Sequence, residues 1–175
     1  MSEQKEKEIV TSALTFEQLL DANEVETQRW QQWFKQQPAA VLELPIDIAG
    51  TGTVRNFLLH IFAVELRYAE RLLEFADVTA YETLPAESLE ELFGIGTKAR
   101  AMYREFLGKT CADDEARILE FMTRTAGMLK ASKHKIFVHA MLHGVRHWAQ
   151  LATALRAAGY KTDWPHDFLY STVMK

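Results

Sequence analysis

A line of apolar residues and histidines, spaced three and four positions apart, runs through the last third of the chain. It consists of Ile136, Ala140, His143, His147, Leu151 and Leu155. Residues at this spacing share one face of an α-helix. The pattern predicts a helix from about 132 to 158, ended by Gly159. It also places two histidines on the face that packs into the core.

Three more segments carry the same periodicity together with helix start signals. Thr15 and Ser88 each begin a capping box, in which a Gln or Glu three residues later reaches back to the start of the helix. Thr51 or Thr53 can cap another helix. Four amphipathic helices without convincing strands predict an all-α fold, an antiparallel four-helix bundle. The predicted helices cover about 16–36, 53–75, 88–107 and 132–158.

The connections 37–50 and 109–131 are long crossovers, so they leave the order of the helices in the bundle open. Within the second, residues 117–125 partly alternate and predict a short extended piece, with a turn near Gly127. The tail 160–175 is rich in aromatic residues, and we expect it to fold back on the bundle.

Gly94 and Gly96 lie inside the third predicted helix, where each costs roughly 1 kcal/mol relative to alanine. Either this helix begins later than Ser88 predicts, or a neighbouring helix packs closely against it. The sequence does not choose between these two explanations.

Length and charge limit the function classes. The chain of 175 residues predicts a single domain over 1–175, with a loose lead-in over 1–14. A net charge of −4 argues against nucleic acid as a partner. No stretch reaches the ~20 apolar residues of a membrane span, and the charged start does not resemble a secretory signal. The single Cys111 excludes an internal disulfide framework. We therefore expect a cytoplasmic protein without a membrane partner.

His143 and His147 form the strongest candidate for a functional site. Burying two imidazoles without partners costs on the order of 1–3 kcal/mol per polar group. A divalent metal ion satisfies both, because residues four apart on a helix can bind one ion. The alternative is that each imidazole bonds a nearby side chain or is partly hydrated.

A mononuclear catalytic site needs a third protein ligand and an open position. His139 extends the line, but i, i+4 and i+8 nitrogens cannot meet at one ion, since the outer two are separated by about 12 Å of helix rise. One of the three histidines is therefore outside the ligand set. His60, inside the second helix beside its apolar stripe, is the best remaining ligand. We interpret His134 and His166 as surface residues.

Glu65 and Gln150 are candidates for supporting roles. Glu65 interrupts the apolar stripe of the second helix, and its own helix offers it no partner. A partner from another helix is therefore predicted: either Arg146 or the free N–H of a ligand histidine, which Glu65 would then orient. Gln150, near the turn beyond His147, could hold a ligand or a substrate.

The run His139-x3-His143-x3-His147-x-x-Gln150-Leu151, continuing to Gly159, resembles the last-helix signature of the DinB/YfiT-like family of metalloproteins. In that family Arg-Gly-Gln usually follows the final histidine, whereas this chain has Trp148-Ala149-Gln150. His60, within Leu58-Leu59-His60-Ile61, matches the upstream motif. The resemblance covers most of the chain from about 15 to 158.

The resemblance implies a four-helix bundle with metal ligands His60, His143 and His147, and with His139 outside the ligand set. It implies a divalent ion, zinc first and nickel or iron as alternatives, and a homodimer. Relatives that transfer low-molecular-weight thiols suggest an enzyme that activates a thiol or water toward a small electrophile. A bundle in which the ion is purely structural is the competing hypothesis, and an empty site on a dimerising bundle is a third.

Overall fold

Five α-helices make up most of the structure, a computed structural model that describes residues 14–81, 86–123 and 126–173. The four long helices begin and end within a few residues of the predicted positions. None of the helices in the described ranges is long and apolar enough to cross a membrane. The predicted lead-in over 1–14 lies outside the described residues except for Leu14. The helices are α1 (Phe16–Lys35), α2 (Val54–Leu72), α3 (Leu89–Lys109), α4 (Ala112–Ala116) and α5 (Lys133–Ala157).

The predicted helix caps explain where the long helices start. Thr15 Oγ1 accepts the Gln18 amide at 3.2 Å, and Gln18 Oε1 accepts the Thr15 amide at 2.9 Å. Ser88 forms the same reciprocal box with Glu91. Thr53, one of the two predicted alternatives, caps α2. Each cap satisfies amides that the first turn of a helix leaves free.

Two apolar clusters, one at each end of the bundle, fix the directions of the long helices. The first contains residues from the end of α1, the starts of α2 and α3, and the end of α5. The second contains the opposite end of each helix. Helices α2 and α3 are therefore parallel neighbours, and both run opposite to α1 and α5. Neighbouring helices pair in the order α1, α3, α2, α5 and back to α1.

This topology confirms the four-helix bundle and defines the order of the helices, which the long connections had left open. Tyr81, after α2, belongs to the second cluster and Ala86, before α3, belongs to the first, so the described ends of the connection from α2 to α3 lie at opposite ends of the bundle. The connection from α1 to α2 and the connection from α3 to α5 instead each join two diagonally opposite helices at one end of the bundle.

Short strands occur in two of the connections. Strands β1 (Pro45–Ile46) and β2 (Gly52–Thr53) pair just before α2. The extended piece predicted between α3 and α5 is β3 (Ile118–Thr123), and its partner β4 (Gly127–Ser132) was not predicted. They form an antiparallel hairpin with Ile118 opposite Ser132 and Thr123 opposite Gly127.

The C-terminal tail folds back on α1, as its aromatic residues predict. Trp33 Nε1 donates to the carbonyl of Lys161 at 3.1 Å, and Trp164 Nε1 donates to Glu26 at 3.0 Å. His166 was predicted at the surface, and that prediction is wrong. Its ring stacks on Trp30, and its Nδ1 lies 2.6 Å from Glu26 Oε1, so it helps hold the tail.

Candidate metal centre

Helices α2 and α5, which pack side by side, bring three histidines together. His60 projects from α2, and His143 and His147 project from successive turns of α5. The two α5 residues are buried because they belong to the stripe that faces the core. His60 borders the apolar side of its own helix and is half-buried. The convergence therefore follows from the stripe positions of α5 and from the packing of α2 against it.

The three imidazoles are close enough to bind a single ion. One ring nitrogen from each histidine lies within 4.8 Å of the other two. The Nε2 atoms of His143 and His147 are 2.9 Å apart, and the ring of His60 is centred 5.3 Å and 5.2 Å from those two rings. Three nitrogens grouped this closely could hold one ion after small movements of the rings, with bonds of about 2.0–2.1 Å for zinc.

Two neighbours on α5 fix the tautomer of His147. Gln150 Oε1 lies 2.6 Å from His147 Nδ1, and an amide oxygen can only accept a hydrogen bond. Arg146 Nη2 lies 3.2 Å from His147 Nε2, and a guanidinium can only donate. His147 therefore carries its proton on Nδ1 and presents the Nε2 lone pair to the site.

The environment keeps the two buried imidazoles neutral, as metal ligation requires. Burial lowers the pKa of His143 to about 2, and the neighbouring His147 and His60 add to the shift. Burial also lowers the pKa of His147, although its bond to Gln150 opposes this effect. Their nitrogens are free to bind a cation without first losing a charge.

The described residues provide a hydrogen-bond partner for only one of the two ring nitrogens of His143. Its Nδ1 is buried and finds no hydrogen-bond partner in the ranges 14–81, 86–123 and 126–173. Since His147 Nε2 accepts, His143 Nε2 must donate the 2.9 Å bond between them. The described residues thus satisfy one nitrogen of this buried ring and leave the other unpaired. A cation held by both Nε2 atoms would replace that single histidine–histidine bond, so the residues fit a divalent ion.

His139 lies outside this group. Its ring is centred 6.1 Å from that of His143 and packs edge-on against Tyr68 at 5.1 Å. His134, at the start of the same helix, is exposed. Both positions agree with the geometric argument that a straight helix supplies only two of its histidines to one ion.

Glu65 has a partner from another helix, as predicted, but the partner is not Arg146. Its Oε2 lies 3.4 Å from Arg100 Nη1 on α3, and both side chains are buried. Burial raises the pKa of the Glu65 carboxyl, which the Arg100 guanidinium only partly offsets. Glu65 thus forms an ion pair with Arg100 beneath the site. A methyl group at Gly144 would lie 3.1 Å from its Oε1, so Glu65 approaches α5 next to His143.

Sequence reasoning missed the position of Arg146 at the site. It was considered only as a partner for Glu65, whereas its guanidinium lies against a histidine nitrogen. The spacing along the helix could have indicated this position. Arg146 lies three residues after His143 and four before Gln150, on the exposed edge of the same helical face.

Comparisons with known proteins identify the family and support the fold. The model of the DinB family matches residues 1–172. The protein belongs to the DinB family. The chain is also similar to a solved structure described as "Crystal structure of TT2238, a four-helix bundle protein". The two share 22% identity with a TM-score of 0.55, over 79% of this chain and 99% of that one. That likeness supports the fold of this DinB-family chain. Among curated proteins none matches it.

Proposed function

We propose that this DinB-family protein binds one divalent metal ion through His60, His143 and His147. The observation that carries the proposal is the convergence of three imidazole nitrogens within 4.8 Å at the contact of two helices. Zinc is the favoured ion, and nickel or iron are alternatives, because three neutral imidazoles suit all of them. The site residues are metal ligands, and Gln150 and His139 are supporting residues.

We further propose that the site is catalytic. A divalent ion with an open coordination position lowers the pKa of a water or a thiol that binds there. Gln150 holds His147 in the tautomer that leaves Nε2 available, which is the usual task of a residue behind a metal ligand. The exposed residues Arg146 and Gln150 contact His147, and we propose that a small molecule would approach the ion from that side.

The proposed reaction is transfer of a thiol to a small electrophile, or hydrolysis of such an electrophile. The full-length protein, loaded with zinc, is assayed with 2-mercaptoethanol, cysteine or glutathione and 1-chloro-2,4-dinitrobenzene, and separately with a nitrophenyl ester in the absence of thiol. We expect turnover in one assay that His147→Ala abolishes and His134→Ala retains. Rates equal to the uncatalysed ones in both assays would contradict a catalytic role.

A structural ion is the second candidate, and the burial of two ligands supports it. His143 and His147 lie in the interface between α5 and α2, where an ion would join the two helices. An ion that binds only the folded state raises its stability by an amount that grows with the logarithm of its affinity. This role predicts that a chelator lowers the Tm strongly and that alanine at each of the three histidines does so alike. Equal melting of metal-free and metal-loaded protein would exclude it.

Association into a homodimer is also a proposal, which rests on the family resemblance. Sedimentation equilibrium of the metal-loaded protein tests it directly. A mass of twice 20.1 kDa is expected, and a mass of 20.1 kDa at micromolar concentration would contradict it.

A further inference from the structure

The candidate ligands carry no negative charge. The group that the described residues bring together contains three histidines and no carboxylate. Neutral imidazoles leave the full charge of a divalent ion uncompensated, unlike sites in which an aspartate or glutamate is a ligand. The nearby Glu65 does not offset that charge, because it already pairs with Arg100.

Arg146 adds a further positive charge at the same place. Its Nη2 lies 3.2 Å from His147 Nε2, which in turn lies 2.9 Å from His143 Nε2. The described part of the chain provides no carboxylate in an ion pair with this guanidinium.

A cation and a guanidinium side by side repel each other unless an anion lies between them. A thiol that binds the ion as a thiolate relieves part of this repulsion, and a thiol that also carries a carboxylate can place a second negative charge at the guanidinium. The planar guanidinium also matches a carboxylate, to which it can donate two parallel hydrogen bonds. Arg146 is exposed, so it can turn from His147 toward a ligand without breaking a buried contact.

We propose that Arg146 is a specificity-determining residue that selects small thiols carrying a carboxylate. The sulfur of such a molecule would occupy the open position, and its carboxylate would bind the Arg146 guanidinium. The two groups must be only a few bonds apart, because Arg146 and the ligand nitrogens meet at His147. This inference rests on the proposed metal site and names its substrate class.

The test compares two thiols of similar size, 3-mercaptopropionate and 2-mercaptoethanol. The full-length protein is loaded with Co(II), and each Kd is read from the thiolate-to-cobalt absorption band. We expect about tenfold tighter binding of 3-mercaptopropionate, as one charge-assisted contact can supply. Arg146→Gln removes this preference and leaves the Kd for 2-mercaptoethanol within about twofold. Arg146→Lys keeps part of the preference for 3-mercaptopropionate. Arg156 is an exposed arginine farther along α5, and Arg156→Gln is the control that should keep the full preference.

The affinity for Co(II) in the absence of thiol supplies a second readout, which Arg146→Gln is expected to change in the direction opposite to its effect on 3-mercaptopropionate binding. Arg146→Gln removes a neighbouring positive charge, so the variant binds Co(II) more tightly than the wild-type protein when no thiol is present. Substitution of a residue that only maintained the fold would weaken the binding of both the metal and the thiol. Opposite changes in the two affinities therefore support selection by charge.

Four results overturn the inference. The wild-type protein could bind the two thiols equally or bind neither, or Arg146→Gln could keep the same preference. Each of these results would show that Arg146 does not select the ligand, and none of them would contradict the metal site. If the wild-type protein does not bind Co(II), the proposed metal site fails and this inference fails with it.

Discussion

Gln150 Oε1 accepts the Nδ1 proton of His147 over 2.6 Å, one turn along the same helix. This bond holds the imidazole in the orientation that turns Nε2 toward His143 and His60. It connects an exposed residue to a buried candidate ligand, and so it links the surface of α5 to the site.

Removal of this bond is expected to weaken the metal site without unfolding the protein. Loss of such a supporting contact typically lowers metal affinity by about 10–100-fold. We expect that loss in Gln150→Ala, measured by competition with a chromophoric chelator. Gln150→Glu keeps an acceptor at the same place and retains the affinity. Wild-type affinity in Gln150→Ala would show that His147 does not depend on this bond.

The contact between Gly96 and Phe62 gives a stability test. A methyl group at residue 96 would lie 2.5 Å from a ring carbon of Phe62, so α3 approaches α2 closely here. Gly96→Ala is expected to destabilise the protein by about 1–3 kcal/mol, the usual effect of overpacking. Gly94→Ala is the matched control, since nothing lies within 4 Å of its added methyl, and it should stabilise the helix by up to about 1 kcal/mol.

Urea unfolding of the two variants measures these changes. A loss of stability in Gly94→Ala equal to that in Gly96→Ala would mean that close packing does not explain residue 96. The structure resolves the alternative that the sequence left open: α3 begins at Leu89, as Ser88 predicts, and the neighbour at Gly96 is Phe62.

The sequence was sufficient for the parts of the fold that depend on local signals. Helix starts follow from Thr15 and Ser88, whose caps are complete within four residues. The grouping of His143 with His147 needs only the helical repeat, and His60 could be added because it borders the apolar side of its helix. The caps and the histidine pair depend on short-range geometry, which the order of the helices does not alter, whereas His60 reaches the pair only because α2 packs against α5.

The parts that depend on the order of the helices could not be predicted. Glu65 needed a partner, but Arg100 is its partner only because α3 is the parallel neighbour of α2. The strand β4 is similar: its exposed residues do not alternate clearly, and pairing with β3 defines it. Long connections permit several arrangements, and only packing selects one.

Lys133, at the start of α5, gives a prediction with a defined pH dependence. Its buried ammonium lies 2.8 Å from Glu74 and 3.0 Å from Asp114. These bonds are the main reason why the pKa of Glu74 lies below its usual 4.5 and the pKa of Asp114 below its usual 3.8. A carboxyl with a lowered pKa stabilises the fold above its unfolded pKa, and this contribution is lost as the pH falls through the folded value.

Lys133→Met is therefore expected to lose about 1–2 kcal/mol at pH 7, allowing for the partial exposure of both carboxylates. The difference from wild type should narrow as the pH falls below 4.5 and then 3.8. Lys130→Met removes the exposed pair with Glu120 on the hairpin and should change stability by less than about 1 kcal/mol. Urea unfolding across this pH range checks both variants, and a constant difference would contradict the role of the two carboxyls.

Arg100→Met gives a second prediction with a defined pH dependence, over a higher pH range. Removing the guanidinium leaves Glu65 buried without its cation, a change that typically costs about 3–5 kcal/mol. The pKa of Glu65, already raised from 4.5 by burial, rises further. The folded state then holds a proton that the unfolded state has released, so stability falls as the pH increases above 4.5.

The loss in Arg100→Met should accordingly be larger at pH 8 than at pH 5, again by urea unfolding. The double variant Glu65→Gln with Arg100→Met has no carboxyl to titrate and should lose most of this difference. A loss in Arg100→Met that is the same at both pH values would mean that Glu65 does not ionise as the ion pair requires.

The metal content of the protein tests the three-histidine site most directly. The protein is purified without an affinity tag or a nickel column, and its ions are counted by inductively coupled plasma mass spectrometry. We expect one divalent ion per chain, with zinc favoured, and its loss in His60→Ala, His143→Ala and His147→Ala. His134→Ala, a substitution at an exposed position of α5, should retain the ion. Wild-type protein without a stoichiometric ion, which also fails to take one up from added zinc, nickel or iron, would contradict the account.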